Sequence, residues 1–172
     1  MRKFIIYSIS LCCLTLSASA NCDFERLGLG TGQEIVRSIY NTEILQDPDY
    51  SYLSTSSSKG VNGDIVCSNE KYKNLKFDFL FIDKTLRVIS VIDEENKINH
   101  LENLNSFYGT PTSANQNRLA KGTDDYSWQF EDKNIFLKIV KKNEFKRTNI
   151  KIISNNYTKL LEEKRDTNEV QH

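Results

Sequence analysis

The clearest hydrophobic pattern lies at residues 75–82, where Phe77, Phe79 and Phe81 fall on one side of an extended segment and Lys76 and Asp78 on the other. A period of two is the mark of a strand with one buried face. Asp83-Lys84 makes a tight connection into a second apolar run at 86–92, so a hairpin is expected, although apolar residues on both faces of that run leave its register open. Helical spacing occurs twice. Ile35, Val36, Ile39 and Tyr40 predict a helix entered through Thr31 and Glu34 as a capping box. Ile98, Leu101, Leu104 and Tyr108 predict another, stopped by Gly109 and Pro111.

Three alternating segments, 126–130, 135–140 and 147–153, are joined by polar turns and read as an antiparallel meander. Between these elements the signals are weaker. Residues 50–53 read as a short aromatic strand, the serine run at 54–60 as an exposed loop, 65–67 as a short strand and 110–123 as a polar loop. Tyr157, Leu160 and Leu161 predict a short final helix, and 162–172 a charged flexible tail. The fold class expected is α+β, with short helices packed on an antiparallel sheet. The order helix, loop, aromatic strand, further strands occurs twice, and Asp49-Tyr50-Ser51-Tyr52 matches Asp125-Tyr126-Ser127-Trp128 in type and placement. Two tandem helix-plus-sheet units, 24–92 and 96–154, are one reading; coincidence between two aromatic strands is the other.

The first twenty residues change what the cysteines mean. Arg2 and Lys3 precede an apolar stretch, and Ala18-Ser19-Ala20 supplies small residues at a cleavage position, so residues 1–20 read as a cleaved signal peptide. The stretch is shorter than the roughly 20 residues of a membrane-spanning helix. Of four cysteines, Cys12 and Cys13 leave with the signal. Cys22 and Cys67 remain, and in an oxidising compartment they are expected to form one disulfide. Lipid attachment at Cys22 is the competing reading, for which Asn21 is a poor preceding residue. The expected location is the periplasm or the medium.

Charge and size narrow the functions. The chain has 23 basic and 23 acidic residues, so losing Arg2 and Lys3 leaves 21 against 23, a net of −2. Acids and lysines are interspersed, without the basic footprint of a nucleic-acid binder. The roughly 150 residues after the signal suit one domain, 21–161, with a single core.

The run from Phe24 to Tyr40, an apolar stretch leading through Gly30 into a short helix, resembles the opening of small bacterial envelope modules. So does the later Phe107-Tyr108-Gly109-Thr110-Pro111 followed by the Trp128 segment. These modules are the SmpA/OmlA-like outer-membrane-assembly lipoproteins and the related β-lactamase-inhibitor-protein-like repeats. The resemblance implies a non-catalytic module that binds another envelope or secreted protein and carries no cofactor.

The residues offer little assembled chemistry. Gly28, Gly30 and Gly32 do not follow the dinucleotide-binding spacing and read as a permissive turn. Beyond the signal the only histidines are His100, read as lying off the helix's apolar stripe, and the terminal His172, so no histidine base for a hydrolase stands out. Asp93-Glu94-Glu95 and Asp124-Asp125 are candidate carboxylates for glycosidic cleavage, against the plainer reading of Asp93 to Glu95 as acids before a helix. No metal-ligand set is expected. Tyr50, Tyr52, Tyr126 and Trp128, with Phe130, are candidates for an interface, although one strand face of aromatics also suits a core. The function expected is an exported protein-binding module whose partner is an envelope component, or a toxin or hydrolase that it inhibits. A carboxylate-dependent extracytoplasmic hydrolase and a carrier of a small apolar ligand are the alternatives.

Overall fold

The structure is a computed structural model that describes residues 22, 24–46, 55–67, 69–117, 122–142 and 145–169. The phenylalanine alternation forms β3 (Lys76–Ile82), which pairs antiparallel with β4 (Thr85–Asp93). Asp83 and Lys84 take φ of 49° and 60°, the conformation of a two-residue hairpin turn that matches strand twist. A bulge settles the register: Leu80 pairs with Val88 but Phe81 with Leu86, so Arg87 is the extra residue. Leu86, Ile89 and Val91 therefore share the face of Phe81, Phe79 and Phe77, while Val88 and Ile92 point to the other.

Helix α1 (Gln33–Tyr40) precedes β1 (Leu45–Gln46) and β2 (Thr55–Asn62). The one-turn α2 (Gly63–Val66) and a 3-10 turn (Glu70–Tyr72) lead into β3 and β4. Then come α3 (His100–Tyr108), β5 (Ser113–Asn117), β6 (Thr123–Gln129), β7 (Lys133–Lys142), β8 (Phe145–Ser154) and α4 (Tyr157–Glu169), the last continuing through the charged stretch at 162–169. All eight strands form one antiparallel sheet in the order β1-β2-β3-β4-β8-β7-β6-β5. A helix followed by a four-strand meander thus occurs twice, and the two meanders meet where β4 pairs with β8.

One face of the sheet holds the core. Phe77, Phe79, Phe81, Ile89, Val91, Ile150, Ile152, Ile135, Leu137 and Trp128 bury there with Val36 and Tyr40 of α1 and Leu104 of α3. Tyr40 stacks on Phe79 with ring centroids 5.4 Å apart, and Phe24 packs on Phe77 at 6.0 Å. Fully burying such side chains stabilises by about 1.5–3 kcal/mol each before chain entropy is counted.

Several local expectations are corrected. The serine run is β2, not a loop: Thr55, Ser57 and Ser58 are buried, Ser56 donates to Gln33 of α1 at 3.0 Å, and Ser58 bonds Thr42. Small hydroxyl side chains here let a helix end approach a strand that its two neighbours hold. Residues 65–67 are not a strand, because Gly63–Val66 forms a helical turn that ends at Cys67. The N-cap of α1 is Gly32, without a side-chain cap; Thr31 Oγ1 turns back to the carbonyls of Leu27 and Gly28, so no capping box forms. Part of the polar stretch at 110–123 is β5, an edge strand whose described side chains are exposed and so show no apolar alternation. Cys22 and Cys67 are joined in a disulfide with Cα atoms 5.3 Å apart, tying the start of the domain to the end of α2.

Candidate functional site

A cleft of about 580 Å³ lies between the 3-10 turn and the connection from β4 to α3. Asp93, the last residue of β4, lies on its lining with Glu95, Lys97 and Glu102. The connection is shaped by Asp93 itself: its Oδ1 accepts the backbone N–H groups of Glu95 (3.1 Å) and Asn96 (2.7 Å), folding the chain back into a local turn. Asn99 then caps α3, accepting from the Glu102 N–H while its amide donates to the Glu102 carboxylate at 3.0 Å.

His100, first residue of α3, is buried, and the expectation that it lies off the apolar side is corrected. Position within the helix misled, because the first turn faces the end of β4 and not the stripe of later turns. Its Nε2 meets Asp93 Oδ2 at 2.8 Å, with the two side chains 1% and 5% exposed. An ionised Asp93 can only accept, which places a proton on Nε2; Nδ1 has no hydrogen-bond partner among the described residues. Burial pushes the Asp93 carboxyl upward, but the bonds from His100, Asn96 and Glu95 outweigh it and hold it below the ordinary carboxylate range. Glu95 is likewise held down, by hydrogen bonds from Lys97 and Asn74.

Asp93 and Glu95 are not tuned as the proton donor of a carboxylate pair. A glycosidase acid must keep its proton near neutral pH, which requires a raised pKa. Both acids here are shifted the other way. Nor is His100 placed as a base, since its ring is sealed beside Phe24, with centroids 6.2 Å apart. Asp124, from the other acidic pair, is bonded to Lys141 at 2.7 Å. Among the described residues no group of three or more His, Cys, Asp or Glu is placed to hold a metal.

The aromatic candidates separate. Tyr50 and Tyr52 lie outside the described residues. Tyr126 and Trp128 lie on the core face of β6, 8% and 1% exposed, and the Trp128 indole donates to the Gly109 carbonyl at the end of α3 at 2.8 Å. Phe130, just past β6, is partly exposed and packs on Tyr108, with Lys133 over both rings and paired with Glu25 at 2.8 Å.

A different aromatic stands out on the open side of the sheet. Phe136 alternates with the buried Ile135 and Leu137 of β7, so it points away from α1 and α3, and it is 42% exposed. Directly across lies Lys151 of β8, and two residues along β7 is Lys138, both exposed. The sequence carries a signal for it, an aromatic in phase with the lysine of an alternating strand. Among the described residues no helix is long and apolar enough to cross a membrane. Comparison with family models, with curated proteins and with solved structures returns no match.

Proposed function

We propose that this chain is an exported, non-catalytic module of the bacterial envelope that binds another protein through the open face of its sheet, with residues 1–20 removed as a signal peptide. The observation that carries the reading is Phe136, a large aromatic held half-exposed in the middle of a rigid sheet and flanked by Lys138 and Lys151. Interfaces are anchored by such aromatics, and a strand presents one at little entropic cost. The Cys22–Cys67 disulfide supports an oxidising compartment. The twofold helix-plus-meander order supports two tandem units fused through the β4–β8 pairing.

A hydrolase is disfavoured by the direction in which Asp93 and Glu95 are shifted. A carrier of an apolar ligand between helices and sheet is disfavoured because Phe77, Phe79, Phe81, Tyr40 and Trp128 already fill that space. The test is affinity capture from an envelope extract at near-physiological salt, using the mature protein and its Phe136→Ser variant side by side. A protein retained by the first and lost by the second is expected. Identical retained sets from both would overturn the reading.

A further inference from the structure

On the same open face, beside Lys151, the sheet forms a cavity of about 180 Å³ closed on one side by Tyr157 at the start of α4. Leu80, Val88 and Ile153 are in register across β3, β4 and β8 and give it an apolar floor. Its rim is polar. Ser57 and Ser90 bring hydroxyls, Lys151 stands at the β8 side and Lys59 at the β2 side, where a bulge at Lys59-Gly60 lets the Gly60 N–H donate to Asp78 at 2.8 Å. Three strand spacings separate β8 from β2, about 14 Å. Neither lysine forms an ion pair among the described residues, and Asp78 is the one acid in the lining.

The floor and rim ask for a ligand that is apolar at one end and anionic at the other, within the volume of about one residue. A glutamate or aspartate side chain reverses this order, putting its charge deepest. A C-terminal residue with an apolar side chain satisfies both, because its α-carboxylate sits beside the side chain and not at the tip. Resting on the protein-binding reading above, we infer that this cavity receives the apolar C-terminal residue of a protein partner, its carboxylate held by Lys151 and Lys59, while Phe136 contacts the residues before it. Capture of terminal carboxylates is a recurrent mode of peptide recognition, and the register places Phe136 next to Lys151, continuous with the cavity.

The test is titration of the isotope-labelled mature protein with three probes, followed by backbone amide shifts. These are a pentapeptide ending in leucine with a free carboxylate, the same peptide ending in an amide, and hexanoate. The expected result is saturable shifts at Leu80, Val88, Ile153 and Lys151 with the free-carboxylate peptide. Binding should be about fivefold weaker for the amide and for the Lys151→Gln protein, the size of one partly screened ion pair. A thermal melt of Lys151→Gln matching the parent checks that its fold is intact. Equal binding of acid and amide, or no shifts with either, overturns the inference. Hexanoate binding without peptide binding overturns it in favour of a free short-chain acid. The capture experiment reads Phe136 independently, so a partner lost with Phe136→Ser but indifferent to Lys151→Gln would sink the cavity assignment and leave the protein-binding reading standing.

Discussion

His100 Nε2 and Asp93 Oδ2 lie 2.8 Å apart, joining the first residue of α3 to the last residue of β4 in an almost fully buried pair. The bond fixes the angle at which the chain leaves one meander and begins the next helix. Removing His100 leaves Asp93 Oδ2 without this partner, while Oδ1 keeps its two backbone bonds. His100→Ala is expected to destabilise by about 3 kcal/mol, the lower range for breaking a buried pair. Urea unfolding of the two proteins checks it, and a difference under 1 kcal/mol would contradict the pairing.

The same pair sets an acid limit. Asp93 ionises more readily folded than unfolded, where its ordinary value is 3.8. Its contribution is therefore complete above that value and is lost as pH falls through the lower folded-state value. The wild type should lose stability as pH drops below about 3.8, and Asp93→Asn, weaker at neutral pH, should show a shallower fall over that window. Melting temperatures measured from pH 6 to pH 2 give the two slopes, and parallel slopes would contradict the assignment.

The Cys22–Cys67 disulfide spans 45 residues of sequence. Closing a loop of that length restricts the unfolded chain by about 4 kcal/mol on the chain-entropy view. Denaturant midpoints with and without reductant should differ accordingly. An unchanged midpoint would show that the bridge adds nothing to stability.

Gly63 begins α2 where a Cβ would overlap the backbone carbonyl of Tyr72. That carbonyl belongs to the 3-10 turn and accepts the Leu75 N–H, so it has little room to yield. Gly63→Ala should cost about 2 kcal/mol or more through overpacking. Calorimetry of the variant decides.

Phe136→Ser, by contrast, removes a half-exposed ring and should change stability by no more than about 0.5 kcal/mol. An equal denaturation midpoint would show that the aromatic is retained for something other than packing. A large loss would move it into the core.

The parts of the fold legible in the sequence are those in which one residue type repeats without interruption. Phe77, Phe79 and Phe81 announced β3, and the three late strands overlap the ranges expected for them, each beginning two or three residues earlier. Legibility failed where neighbours decide conformation. The bulge at Arg87 shifts the alternation of β4 by one residue, so Leu86 and Ile89 share a face at a spacing that no regular strand has. Ser56 to Ser58 extend because β3 and β1 hold them on either side, which side-chain type alone does not reveal. His100 pairs with a residue in the preceding strand, a relation invisible to helical periodicity. Phe136 was hidden for the opposite reason, since its neighbours Ile135 and Leu137 made the whole segment look like core.

The joining of β4 to β8 has a kinetic consequence. Within each meander every strand pairs with its neighbour in sequence, so both can assemble by short loop closures. The pairing that runs from Val88 with Ile153 to Asp93 with Thr148 is the exception, bringing together strands separated by α3 and three strands. Its closure is the costly step in chain entropy. A folding chain in which the first meander forms early therefore keeps an open β4 edge until the last strand arrives, and the time during which it can pair wrongly is set by how soon β8 follows.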